Sequence, residues 1–178
     1  DNMNFSRHLD SRYVRGIELN YGPHLPDDRN IRVLDIGCGN GKLLAYLESK
    51  GYRNFLGGDI DPEALSQGPD ELRDRTLHVA DLSSYLKGHV AEFNIVLAKD
   101  VLYYFQKHEV TERMREIASV VQPGGTVIAE VFNGALLTAQ YTAAKDLGIQ
   151  MLFTEQSIRS LLVASGLDVI DVYGQLQP

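Results

Sequence analysis

The sequence is short of the features that mark specialised classes. Cysteine occurs once in 178 residues, at Cys38, so no intramolecular disulfide can form and a reducing, cytoplasmic setting is expected. Cys and His residues show no zinc-ligand spacing, and no metal is expected. No apolar run approaches the ~20 residues that span a bilayer, and the polar opening Asp1-Asn2-Met3-Asn4 lacks a secretory hydrophobic region. No membrane partner is therefore expected. Asp1, in place of a start methionine, points to a trimmed chain or to a piece of a longer one. Basic charge is also scarce. Lys and Arg total 17 against 24 Asp and Glu, a net charge of -7, and long-range electrostatics oppose contact with a polyphosphate. The arginines, Arg12, Arg15, Arg53, Arg73 and Arg113 among them, are scattered and form no basic run. A small molecule or glycan is the expected partner, and a nucleic acid is not. Internal repeats and low-complexity tracts are absent as well.

What remains is a 44% hydrophobic chain, enough for one packed core. From Ile31 onward, short β-branched runs alternate with longer amphipathic segments, the pattern of strand-helix units around a parallel sheet. The α/β class follows. Strands are expected at Arg32–Ile36, Asn54–Asp59, Thr76–Ala80, Phe93–Ala98, Thr126–Val131 and Val169–Gly174. Helices are expected at Gly41–Lys50, Pro62–Gln67, Val110–Val121 and Thr154–Ser165, the last stopped by Gly166 as a left-handed cap. Leu136, Leu137, Tyr141, Ala144 and Leu147 suggest one more helix before the last. Residues 12–19 read as a short helix closed by Tyr21-Gly22-Pro23. The expected organisation is an N-terminal helical cap segment over 1–30 and one compact domain over 31–178.

Val33-Leu34-Asp35-Ile36-Gly37-Cys38-Gly39-Asn40-Gly41 sets an apolar strand directly before closely spaced glycines, then a helix. Glycines permit positive φ and close backbone approach to a ligand at the sheet's carboxyl edge. A dinucleotide fold would need GxGxxG to seat a pyrophosphate on the helix N-terminus. The spacing here, Gly37, Gly39 and Gly41, differs, which ranks a nicotinamide-dependent oxidoreductase last. Asp35 would repel a pyrophosphate but attract an ammonium, which favours a cationic, aminoacyl cofactor.

At these residues the chain resembles class I, Rossmann-like methyltransferases, whose first motif is an apolar pair followed by D-x-G-x-G-x-G. The resemblance implies a mostly parallel central sheet with helices on both faces. It also implies S-adenosylmethionine as cofactor, S-adenosylhomocysteine as its product, and Asp35, Gly37, Cys38, Gly39 and Gly41 around the aminoacyl end. Asp59 closes the second strand 18 positions beyond Gly41, near the ~20-residue interval of a ribose-reading acid. In the resembled family that place accepts both ribose hydroxyls, and Ile60 packs against adenine. Asp61, before Pro62, suits a helix cap better than Asp59 does. Asp81 closes the third strand, where the family's acid accepts from the adenine amino group and the next N–H, of Leu82, reads a ring nitrogen. His78 reads as a packed or rim histidine.

The fourth strand ends at Ala98-Lys99-Asp100, beside the transferable methyl in the resembled family. Ala98 and Lys99 are accordingly assigned to the cofactor. Asp100, Tyr104 and His108 follow on the acceptor side and are the candidate bases, with imidazole having the best-placed ordinary pKa. Tyr103, Tyr104 and Phe105 read more readily as an aromatic wall. Tyr13, with Arg12 and Arg15, is positioned to close over the methionine carboxylate, or else to form a solvated helix face. Val120–Val127 looks like the family's helix-turn-strand segment, turning at Gly124-Gly125.

A narrower likeness is to methyltransferases of bacterial surface polysaccharides and sugars. These carry V-L-E-H after the fourth strand and D-x-T-H-E before an aromatic-Thr pair. Here the segments are Val101-Leu102-Tyr103-Tyr104 and Asp146-Leu147-Gly148-Ile149-Gln150, with Phe153-Thr154 after them, and both histidines are missing. The function expected is methyl transfer to an oxygen or nitrogen of a small or sugar-containing acceptor. The alternative is an inactive cofactor-binding interaction module.

Overall fold

A computed structural model describes residues 9–176. The ends of the two expected segments, 1–8 and 177–178, lie outside the described residues. The chain alternates α1 (Ser11–Asn20), β1 (Val33–Ile36), α2 (Lys42–Ser49), β2 (Phe55–Asp59), α3 (Pro62–Ser66), β3 (Thr76–His78), α4 (Leu82–Lys87), β4 (Phe93–Lys99), α5 (Val110–Ser119), β5 (Val121–Glu130), α6 (Leu137–Lys145) and α7 (Glu155–Ala164). The five strands form one sheet in the order β3-β2-β1-β4-β5, every neighbouring pair parallel.

β1 is the central strand and all four of its residues are buried, as expected for a strand covered on both faces. Alternate side chains point to opposite faces. Val33 joins Ile95 and Leu97 under α1 and α2, in a core with Ile17, Leu43, Leu44 and Leu47. Leu34 and Ile36 join Val96 and Ala98 on the other face, in a core with Leu86 of α4, Met114 and Ile117 of α5, and Ile158 and Leu161 of α7. The result is a helix–sheet–helix sandwich.

Helix starts follow the expected chemistry. Asp10, Asp61 and Asp81 cap α1, α3 and α4 by accepting from Arg12, Glu63 and Ser84 N–H. Thr154 and Ser157 form a reciprocal capping box on α7, and Gly166 ends it at φ 85°. The inserted helix is α6, over Leu137–Lys145.

Two expectations are corrected. Val169–Gly174 is not a strand. Its β-branched composition supplies propensity, but a strand needs a ladder partner, and this tail finds side chains instead. Asn20 accepts from Leu176 N–H at 2.7 Å and donates to Leu176 C=O at 2.9 Å, while Tyr173 donates to Asn20 C=O at 2.8 Å. Second, β5 begins at Val121 rather than Thr126. Val121 pairs with Phe93, and the ladder resumes only at Ile95 with Thr126. The Gly124-Gly125 turn is thus a bulge inside the strand, with Gly124 at φ 80°.

Candidate active site

The residue parity that sorts the core also builds the site. Asp35 shares a face with Val33, Lys99 with Leu97 and Glu130 with Ile128, so all three point toward α1 and α2 at the carboxyl edge. Lys99 and Glu130 are register partners, and Lys99 Nζ donates to Glu130 Oε1 at 2.9 Å and also pairs with Asp100. Glu130 Oε2 accepts from the Tyr21 hydroxyl at 2.8 Å, which ties the end of α1 to the tip of β5.

Beside this network lies a cavity of about 240 Å³ lined by Tyr13, Asp35, Gly37, Cys38, Asn40 and Lys42, together with Leu43, Lys99 and Asp100. Asp35 is 2% exposed, and no hydrogen bond from the described residues reaches its carboxylate. Burial, reinforced by the charge of Asp59 and opposed by Lys99, pushes its pKa up to about 8. Lys99 moves upward as well: burial works against its ammonium, but Glu130 and Asp100 outweigh it. Tyr13 is raised by burial and then by the charges of Asp35, Glu130 and Asp100, so its phenol stays protonated and a donor. Burial likewise raises the Cys38 thiol, which packs against Gly57: a Cβ there would stand 2.8 Å from Sγ.

The glycine turn is held by its own backbone. Gly37, Gly39 and Gly41 have φ of 73°, 53° and 76°, in the region glycine enters without penalty. Gly37 N–H and Cys38 N–H both donate to Gly58 C=O, at 2.8 and 3.2 Å. Gly39 N–H donates to Asp59 Oδ2 at 2.6 Å, and Asp59 Oδ1 accepts from Asp61 N–H at 2.9 Å. Asp59 therefore braces the turn as well as ending β2. Ile60, 71% exposed, follows it. β3 ends at His78 rather than Ala80, and Asp81, three residues beyond it at the start of α4, is exposed and accepts from Ser84 N–H and Oγ, bonds that hold its carboxyl below the usual range. Leu82 is half-buried and Ala98 fully buried.

Of the three candidate bases, only Asp100 lines the cavity; among the described residues it is also one of two non-glycine residues at positive φ, 57°. Tyr104 is half-exposed and donates to Asp146 Oδ2 at 2.9 Å. His108 has an 80% exposed side chain beside Glu109. Tyr103 is buried and stacks on Phe132 at 4.8 Å. Arg12 and Arg15 are exposed and do not line the cavity. His24 meets the Tyr173 hydroxyl, and His78 meets Ile60 C=O. The sequence reading missed Asn40, Lys42, Leu43 and Glu130. The first three flank or belong to the glycine turn, and Glu130 is a further strand-end acid whose parity with Ile128 marks its face. Among the described residues no group of His, Cys, Asp and Glu is placed to hold a metal, and no helix is long and apolar enough to cross a membrane.

A five-stranded parallel sheet with helices on both faces, carrying an acid-tipped glycine turn at its carboxyl edge, is a Rossmann-like arrangement. The chain belongs to the methyltransferase domain family, whose model matches residues 5–172. A dTDP-3-amino-3,4,6-trideoxy-alpha-D-glucopyranose N,N-dimethyltransferase of Streptomyces venezuelae is 26% identical over 55% of this chain and 41% of its own length. A tRNA U34 carboxymethyltransferase of Geobacter sp. strain M21 is 32% identical over 61% of this chain and 34% of its own. The chain thus spans less than half the length of either. The crystal structure of a SAM-dependent methyltransferase from Archaeoglobus fulgidus matches 88% of this chain and 69% of that one at a TM-score of 0.73 and 20% identity, a likeness of fold.

Proposed function

We propose that the chain binds S-adenosylmethionine at this edge and transfers its methyl group to an oxygen or nitrogen of a small-molecule or sugar-containing acceptor. The observation that carries the reading is Asp35, a buried carboxylate opening into the cavity without a hydrogen-bond donor. A carboxylate so placed fits a cationic amino group. A volume of about 240 Å³ is below the ~300 Å³ at which pockets enclose whole drug-sized ligands. It suits the aminoacyl end, leaving the nucleoside to the open lip of Asp59, Ile60, Asp81 and Leu82. Cys38 and the glycine backbone line the floor between them. Helix α1 acts as a cap through Tyr13.

When bound, the cofactor supplies an already activated methyl group, which leaves the protein to orient and to accept a proton. Ala98 and Lys99 bring the end of β4 to the cavity. Asp100 receives the proton of a hydroxyl or amine acceptor, its carboxylate held by Lys99. Tyr104 and Tyr103 supply an aromatic wall, and His108 is the more remote base candidate. The sugar-modifying relative and the net charge of -7 support a small acceptor over a nucleic acid. Saturable binding of S-adenosylhomocysteine by calorimetry, followed by methyl transfer to amino- or hydroxy-sugars, tests the reading. Absence of binding refutes it.

A second reading, a cofactor-binding module without turnover, is favoured by one observation. The single candidate base at the cavity is already ion-paired, and Tyr104 is committed to Asp146. Binding without transfer to any nucleophile would select it.

A further inference from the structure

The cavity wall carries two lysines in different states. Lys99 is neutralised by Asp100 and Glu130. Lys42 is exposed at the first position of α2, and no carboxylate of the described residues lies within 4.0 Å of its ammonium. The residue before α2, Gly41, offers no side-chain cap, so the first-turn N–H groups beside Lys42 add positive potential. The same cavity holds Asp35, whose carboxylate is buried and lacks a donor. One cavity therefore combines a buried carboxyl group without a hydrogen-bond donor and an ammonium without a carboxylate partner, and the two do not pair with each other. That charge pattern complements a zwitterion, with an ammonium for Asp35 and a carboxylate for Lys42.

From this we infer that Lys42, rather than Arg12 or Arg15, is the residue that reads the α-carboxylate of the cofactor's amino-acid end. The inference rests on the proposed cofactor and adds a specificity determinant to it. Arg12 and Arg15 are exposed away from the cavity lining, and Tyr13 is the α1 side chain that reaches it. Asn40 lines the same wall and supplies a neutral amide. Lys42 and Asn40 also border a second cavity of about 190 Å³ with Gln67, Gly68 and Pro69, so Lys42 stands between the two.

The test is calorimetric binding of S-adenosylhomocysteine and of its decarboxylated analogue, which differs only in lacking the α-carboxylate. Both are titrated into the wild-type chain, Lys42→Met and Lys42→Arg, with thermal melts to verify folding. Lys42→Met is expected to weaken S-adenosylhomocysteine by about tenfold while leaving the decarboxylated analogue within about twofold, and Lys42→Arg to restore the loss. Equal weakening of both ligands, or no weakening of either, overturns the role of Lys42 and leaves the cofactor assignment intact. Failure of wild type to bind either ligand overturns the cofactor assignment itself, and the inference with it.

Discussion

Asp35 is buried at a cost to folding. Its ordinary carboxyl pKa of 3.8 rises to about 8 in the folded chain, chiefly through burial and then through Asp59. Below the unfolded value both states are protonated and the group is neutral in the balance. Between the two values the unfolded chain ionises while the folded one retains its proton, so stability falls as pH rises, and the loss is complete above about 8. This is the reverse of a salt-bridged carboxylate. Asp35→Asn removes the titration while preserving shape. The melting temperature of the variant should exceed that of wild type by a wider margin at about pH 9 than at about pH 5. A margin independent of pH would show that Asp35 is not held this way. The neighbouring residues explain what the sequence made readable. The glycine spacing and the acids at 35, 59 and 81 stand in one linear motif each, whereas Glu130, Lys42 and the ion-paired state of Lys99 depend on which side chains meet across strands.

At the scale of elements, strands and helices with strong periodicity were legible, including β1, β2, β4 and the capped α7. The errors fell where a partner, not a propensity, decides. Val169–Gly174 has strand composition but no ladder, and its tail is fastened by Asn20 from α1, a residue 5% exposed that reaches 156 positions along the chain. The bulge in β5 was hidden because Gln122-Pro123-Gly124-Gly125 reads locally as a turn between elements, while Val121 before it still pairs with Phe93. Asn20→Ala should release the tail without unfolding the sheet. Hydrogen exchange over 169–176 should then accelerate while amides of β1 and β4 keep their protection. Uniform acceleration across both regions would instead make the tail part of the global fold.

For the molecule as a whole, the net charge of -7 bears on the acceptor, since one relative is a tRNA-modifying enzyme and another modifies a sugar nucleotide. Counterion release gives a protein that neutralises several phosphates a steep salt dependence. The charge balance here predicts tRNA binding in filter assays no tighter than the ~10⁻⁴–10⁻⁶ M of non-specific contact at physiological salt. Submicromolar affinity falling steeply with salt would move the acceptor to nucleic acid.

The central claim is that the carboxyl edge of the sheet, from the glycine turn to Asp59, holds S-adenosylmethionine. It is tested most directly by titrating S-adenosylhomocysteine into wild type and Asp59→Asn, a substitution that keeps an acceptor for Gly39 N–H, gives up the one for Asp61 N–H and removes the charge offered to the ribose, with thermal melts to verify folding. The account predicts one saturable site in wild type and binding weaker by about tenfold, ~1.4 kcal/mol, in the variant. Equal affinities would remove Asp59 from the site, and no saturable heat in wild type would contradict the account at its base.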